Sequence, residues 1–340
     1  MTGDPMTLSL VWLLEQDNPS VRYFTLRELC GASADDPEVL HAHAEIMRGG
    51  PVPKILSKQA EGGYWGRPED FYERSKYKGT VWNLILLAEL GADGDDPGVQ
   101  KAAAFVLEHV QHLESGGFAY LGQPSGGGDP GCVIPCLTGN MLWSLVRLGW
   151  LEDPRIQRGL EWMAISLRCD DRDSRPPETW PYTGRAGKER CWGRHTCTMG
   201  VVKTLTALAE VPLERRSPAM QSAIERGAEY LLAHRLYKRS HAPQQVAKAE
   251  WTEFGFPLMY KTDALEMLGI LTRLGYQDAR MQDAVELVLS KQVDDPQAHP
   301  FWRLDKTFNG RMLVTIECQG EPSKWITLRA LLALGNWLSS

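Results

Sequence analysis

Mostly apolar stretches recur along this chain at a nearly constant spacing, and each closes on Leu-Gly or a close variant. They are Ser20 to Gly31 (SVRYFTLRELCG), Thr80 to Gly91 (TVWNLILLAELG), Thr138 to Gly149 (TGNMLWSLVRLG), Thr198 to Ala209 (TMGVVKTLTALA), Ala264 to Gly275 (ALEMLGILTRLG) and Lys324 to Gly335 (KWITLRALLALG). Their first residues fall at 20, 80, 138, 198, 264 and 324, so the intervals are 60, 58, 60, 66 and 60 residues. A fixed period of this size marks a repeat architecture. Leu, Met and Ala dominate the stretches, and a closing glycine suits the left-handed residue that ends a helix. Apolar character on most sides predicts buried helices.

A more polar, amphipathic stretch follows almost every apolar one. Its start is marked by Asp36-Pro37, Asp96-Pro97, Asp153-Pro154, Ser217-Pro218 and, less sharply, Tyr276-Gln277-Asp278. Asp or Ser before Pro is a helix start signal, because the side chain caps free backbone N–H groups and Pro fixes φ at the first helical position. The segment Leu8 to Glu15 supplies the outer helix ahead of the first inner one. The pattern predicts an all-α chain: a single (α/α)6 toroid of about six inner and outer helix pairs. One domain then spans residues 1–340, in place of the two that length alone suggests. The longer loops are rich in Gly and aromatics: EGGYWG at 61–66, SGGFAYLG at 115–122, TWPYTG at 179–184, WTEFGFPLMY at 251–260 and HPFWRL at 299–304. Loops of this length usually carry function.

Composition narrows the partners. The formal net charge is −6, which gives no reason to expect nucleic acid or an anionic membrane surface. No stretch approaches the apolar length of a transmembrane helix. Met1 to Asn18 has Asp4, Glu15 and Asp17 but no Lys or Arg, unlike a secretory signal. Seven cysteines then read as thiols or metal ligands, and the expected location is the cytoplasm. The 12 tryptophans, several of them on the Gly-aromatic loops, offer flat apolar walls.

Gln59-Ala-Glu-Gly-Gly63-Tyr-Trp65 fits the Q-x-x-x-G-x-W pattern of squalene and oxidosqualene cyclases, and Gln111 to Phe118 and Gln292 to Trp302 look like degenerate copies. The helix pairing with Gly-aromatic loops also resembles protein prenyltransferase β-subunits. The chain thus resembles the terpenoid cyclase and prenyltransferase-like α/α-toroid family over nearly its whole length. The resemblance implies a central cavity near the N-terminal ends of the inner helices. It does not fix an activity. Asp93-Gly-Asp95-Asp96 matches the Asp-x-Asp-Asp acid of class II cyclases as a string, yet it sits in a turn leading into Pro97 and reads as a helix cap.

The sharper signal lies at the starts of inner helices three and four, in GCVIPCLT and CWGRHTCT. The repeat brings Cys132, Cys136, Cys191, His195 and Cys197 to neighbouring helix starts. Zinc is the natural occupant of such a Cys/His set. The spacing is not that of a zinc finger, so the case rests on convergence through the repeat. The competing readings are packing of small apolar thiols and a thiol activated by His195. In prenyltransferases an Asp, a Cys and a His hold a catalytic zinc at this rim; the resemblance implies such parts for Cys197 and His195, with Asp129 as the carboxylate. This chain offers more cysteines and no clean Asp-x-Cys.

Tyr260, Lys261, Asp263 and Glu317, with Lys78 and Lys324, fall at or just before inner-helix starts and are candidate acids, bases or charge-binding groups. The reading reached is an enzyme acting on a small apolar or isoprenoid-like molecule in a central aromatic cavity, with a Cys/His zinc site at its rim. Two alternatives stand beside it. One is a non-catalytic ligand-binding or scaffold toroid with a structural zinc. The other is an (α/α)6 carbohydrate-active enzyme with Asp263, Glu250 and Glu317 as paired carboxylates.

Overall fold

The computed structural model describes residues 5–170, 196–293 and 299–339. These residues are mostly helical. In chain order the helices are α1 (Pro5–Leu13), α2 (Pro19–Phe24), α3 (Pro37–Arg48), α4 (Pro51–Leu56), α5 (Thr80–Glu89), α6 (Pro97–His109), α7 (Pro135–Arg147), α8 (Pro154–Ser166), α9 (Thr198–Ala209), α10 (Pro218–Ala233), α11 (Ala264–Arg273), α12 (Gln282–Ser290) and α13 (Lys324–Ser339). An all-helical chain was the expectation, and two small antiparallel sheets correct it. β1 (Lys238–Arg239) pairs with β2 (Ala242–Val246), and β3 (Trp302–Arg303) pairs with β4 (Pro322–Ser323). The second pair forms because the chain entering α13 runs back along the Trp302 loop.

The six apolar stretches are all helical. Thr80, Thr198, Ala264 and Lys324 open α5, α9, α11 and α13 where the repeat predicts. The first stretch is α2 continued by a π-helical turn over Thr25–Leu29. The closing glycines Gly31, Gly91, Gly149 and Gly275 have φ between 66° and 89°, the left-handed region that favours glycine.

The predicted start signals work through side-chain caps. Asp36 accepts from the Glu38 N–H, Asp153 from Arg155, Ser217 from Met220, and Asp278 from Arg280 ahead of α12. Asp96 accepts from Gly98 and Val99, while Asp93 accepts from the Asp95 N–H. The Asp-x-Asp-Asp string is therefore a turn and a helix cap.

The Gln-Gly-Trp motif is a packing device used more than once. Trp65 is buried; its ring N–H donates to the Ile55 carbonyl at 2.8 Å, and its backbone N–H donates to Thr80 at the start of α5. Gln59 donates to the Gly98 carbonyl in α6, and a Cβ at Gly63 would lie 2.4 Å from the Lys101 carbonyl oxygen. In the next repeat Gln111 donates to Arg155 in α8, and the Phe118 N–H donates to Thr138 in α7. In the last, the Trp302 ring donates to Val288 in α12 and its backbone N–H to Thr327 in α13. The three backbone N–H bonds, to Thr80, Thr138 and Thr327, bind each Gly-aromatic loop to the inner helix that follows it, and the Gln and Trp side chains tie it to other helices.

The inner helices pack in series: α5 on α7, α7 on α9, α9 on α11, α11 on α13, and α13 on α2 and its π turn. The α7–α9 contact is the closest, because a Cβ at Gly139 would lie 2.5 Å from the Lys203 backbone. At the other end of the series, a Cβ at Gly91 beyond α5 would lie 2.9 Å from the Phe24 ring of α2. Among the described residues no helix is long and apolar enough to cross a membrane.

Candidate functional site

Every one of the six repeat stretches contributes to one cavity of about 350 Å³. Its wall includes Glu28, Glu89, Arg147, Glu210, Arg273 and Arg329, one from each stretch or the residue just past it, together with apolar surface from Phe24, Trp325 and Leu328. Most of these residues lie in the C-terminal halves of their helices. The cavity thus runs from the first turns of α11 and α13, at Glu266 and Trp325, to the C-terminal ends of the other inner helices.

Ion pairs join the helices around it. Arg273 holds both Glu210 carboxylate oxygens, at 2.7 and 2.8 Å. Arg147 reaches the same carboxylate at 3.2 Å and Glu28 at 3.8 Å. Arg329 pairs with Glu89 at 2.6 Å, and Lys203 with Glu266 at 2.6 Å. Glu210 is buried, which alone raises a carboxyl, but the Arg147 and Arg273 guanidiniums outweigh burial and hold it down at about 2. Two buried polar atoms of cavity-lining residues lack a partner: Glu266 Oε2, an acceptor, and Trp325 Nε1, a donor. Buried polar atoms are nearly always satisfied, so a ligand or water entering here meets a ready acceptor and donor.

None of these charges belongs to a motif in the sequence. A signal was nevertheless present in the repeat. Glu89, Arg147 and Arg273 each stand two residues before the closing glycine, charged in otherwise apolar helices. A charge at a fixed repeat position in a buried helix points into shared space.

The N-terminal ends of the inner helices hold the predicted acids and bases. Asp263 is buried and caps α11, accepting from the Glu266 N–H at 2.8 Å and the Gly255 N–H at 3.0 Å. Burial pushes its carboxyl up to about 6. Glu317 caps α13, accepting from the Lys324 and Trp325 N–H groups and the Ser323 hydroxyl, and burial raises it too. Both carboxylates are committed to backbone donors. Lys261 pairs with Glu250 at 3.1 Å, and Lys324 with Glu15 and Asp17. Tyr260 accepts a hydrogen bond from Lys76 at 3.1 Å and lies 6.5 Å from Tyr77, ring centre to ring centre. Each carboxylate of the carbohydrate alternative has its own local partner: Glu250 has Lys261, and Asp263 and Glu317 have backbone N–H groups.

The thiols divide. Cys136, in the first turn of α7, and Cys197, the residue capping α9, are neighbours: burial and then the Cys197 thiol push Cys136 up to about 12. Cys132 belongs to a separate apolar group with Ala119 and Val133, where its carbonyl accepts from the Tyr120 N–H at 3.0 Å. Cys191 and His195 lie outside the described residues. Among the described residues no three His, Cys, Asp or Glu side chains gather where a metal would bind.

No family model and no curated protein matches this chain. Among solved structures it is similar to a crystal structure of a protein from Actinoplanes, with 17% identity, a TM-score of 0.28, and coverage of 87% of this chain and 99% of that one. At that score the likeness says nothing about fold or function.

Proposed function

We propose that the chain is a closed α/α toroid of the terpenoid cyclase and prenyltransferase-like kind. Its centre binds a small molecule with an apolar body and a polar head. The observation that carries this reading is the single cavity to which all six repeat stretches contribute. Phe24, Trp143, Trp325 and Leu328 suit an apolar body, including an isoprenoid chain. The unpartnered Glu266 Oε2 and Trp325 Nε1 suit a hydroxyl, which donates to one and accepts from the other.

An isoprenoid alcohol such as farnesol is the direct probe. Saturable quenching of tryptophan fluorescence, one molecule per chain, is expected. Gly269 lines the cavity, and a Cβ there would meet only Ala333, at 4.0 Å. Gly269→Phe should therefore fill the cavity, abolish quenching and leave the fold intact. Unchanged binding by that variant would place the ligand elsewhere and sink the reading.

The catalytic form of the proposal adds zinc. It is favoured by one observation, the Cys136–Cys197 pair at adjacent helix starts. Two thiols at adjacent helix starts are soft ligands of the kind zinc favours. Cys191 and His195 would complete four ligands, and zinc would act as Lewis acid or thiol activator. Near-stoichiometric zinc is expected in protein purified without chelator. Less than about 0.2 per chain would end the zinc reading, since such sites are near full occupancy.

A further inference from the structure

The opposite end of the inner helices carries a second arrangement that the central cavity does not use. Two aromatic loops meet there, one ahead of α5 and one ahead of α11. Tyr77 has φ of 68° and Met259 has φ of 56°, left-handed values that side chains rarely adopt. Backbone of this kind persists only where its surroundings impose it, and it clusters at functional sites. The Met259 carbonyl accepts from Asn140 of α7 at 3.2 Å, which ties the second loop across to another inner helix.

The two phenols that result face each other. The Tyr77 and Tyr260 rings lie within 11° of parallel, 6.5 Å apart centre to centre, and burial and the Tyr260 phenol raise Tyr77 above the ordinary phenol range. Phe308 stacks on Tyr77 at 4.2 Å. Two cations border the pair. Lys76 Nζ lies 4.5 Å from the centre of the Tyr260 ring, and the Arg311 guanidinium lies 4.6 Å from that of Tyr77. Both side chains are exposed, and their described partners are aromatic rings or a phenol, never a carboxylate.

Arg311 and Phe308 also line a cavity of about 270 Å³ beside this group. The other cations of that cavity are already matched, Lys261 by Glu250 and Lys306 by Glu253. In a chain of net charge −6, two cations that border one pair of phenols and face no acid make a local positive field that suits an anion. Burial raises Tyr260, but the hydrogen bond from Lys76 and the neighbouring Tyr77 phenol carry it below the ordinary phenol range.

We propose that Lys76, Tyr260 and Arg311 receive the oxyanion of a small ligand, a carboxylate or phosphate group, whose body lies in the adjoining cavity against Phe308. Lysine acts as a point charge, and the planar guanidinium supplies paired N–H donors. The Tyr260 hydroxyl adds a donor between them. This inference does not depend on the ligand of the central cavity.

Calorimetric titration of the full chain with inorganic phosphate, and separately with acetate, tests it at low salt. Saturable binding of at least one anion is expected, and preference between the two identifies the group. Lys76→Met and Arg311→Met should each weaken it about tenfold or more, one charge-assisted contact being worth that much. Both residues are exposed, so the variants should keep the thermal midpoint of the parent. Lys101→Met, which removes an exposed cation from α6, should bind as the parent does. Gly269→Phe should also bind normally, which separates failure here from failure of the central-cavity reading. Absence of saturable binding for both anions overturns the proposal. So does an equal loss in Lys101→Met, which would mean unspecific attraction only.

Discussion

The two ends of the inner helices treat a buried carboxylate in opposite ways. At the C-terminal end Glu210 lies between two arginines that hold its carboxyl at about 2. At the N-terminal end Asp263 is buried with backbone N–H groups as its hydrogen-bond partners, and its carboxyl is pushed up to about 6. Full guanidinium charges outweigh desolvation, whereas two peptide dipoles do not. One end is thus clamped by ion pairs that link separate helices. The other is shaped by caps, phenols and thiols that act locally. A cavity lined by charges and a face lined by aromatic loops follow from that difference.

The largest expected effect comes from breaking the clamp. Glu210→Ala leaves Arg147 and Arg273 facing each other, and Arg147 is largely buried, with 19% of its side chain exposed. Removing one partner of a buried ionic group costs about 3–5 kcal/mol. Urea unfolding of the variant should show a loss in that range. A loss below about 1 kcal/mol would mean that water already screens the cluster as it screens surface pairs.

Acid separates the two ends more finely. The Glu210 carboxyl lies below its usual 4.5 when folded, so its contribution is present above about pH 4.5 and fades as pH falls toward about 2. Glu210→Gln should flatten that part of the stability curve. Asp263 lies above its usual 3.8, so the sign reverses: its contribution is complete below 3.8 and is lost as pH rises through about 6. Asp263→Asn keeps one acceptor oxygen, for the Glu266 N–H of the cap, and gives up the buried charge together with the acceptor for the Gly255 N–H. Relative to the parent it should gain about 2–3 kcal/mol between pH 4 and pH 7, at about 1.4 kcal/mol per unit. A difference that stays flat across that window would show that Asp263 is better solvated than its burial implies.

What the sequence revealed and what it hid follow the same division. The helix starts were legible because Asp or Ser before Pro is a local signal that a cap must satisfy, as Asp96 and Asp153 do. The inner helices were legible because a period of about 60 residues survives in their apolar pattern. Trp65 was legible as a packing residue because its motif recurs, and Phe118 and Trp302 repeat its bond to a threonine in the first turn of the following inner helix. Tyr260 was reached from its place before α11, but its partners Lys76, Tyr77 and Arg311 were not. They come from loops far apart in the chain, and no spacing rule joins position 77 to 260 or 311. The thiols show the limit of the repeat argument. It brought Cys136 to Cys197, yet extended backbone at Val133 and Ile134, bridged to Ala119, leaves Cys132 in another apolar group with Tyr120.

The smallest effect tests the central cavity from the side of stability. Gly269 is an interior residue of α11 with helical backbone and open space where a Cβ would stand. Glycine inside a helix costs roughly 0.5–1 kcal/mol relative to alanine, because the unfolded chain has more freedom to lose. Every other factor at this site is neutral: the nearest atom, the Ala333 Cβ, is 4.0 Å from the new methyl, an ordinary contact. Gly269→Ala should therefore raise the unfolding free energy by that amount. Farnesol binding should persist, since one methyl removes little of about 350 Å³. A destabilised Gly269→Ala would mean that the helices at this level close more tightly than the open space indicates. The same result would remove the room that the central ligand requires.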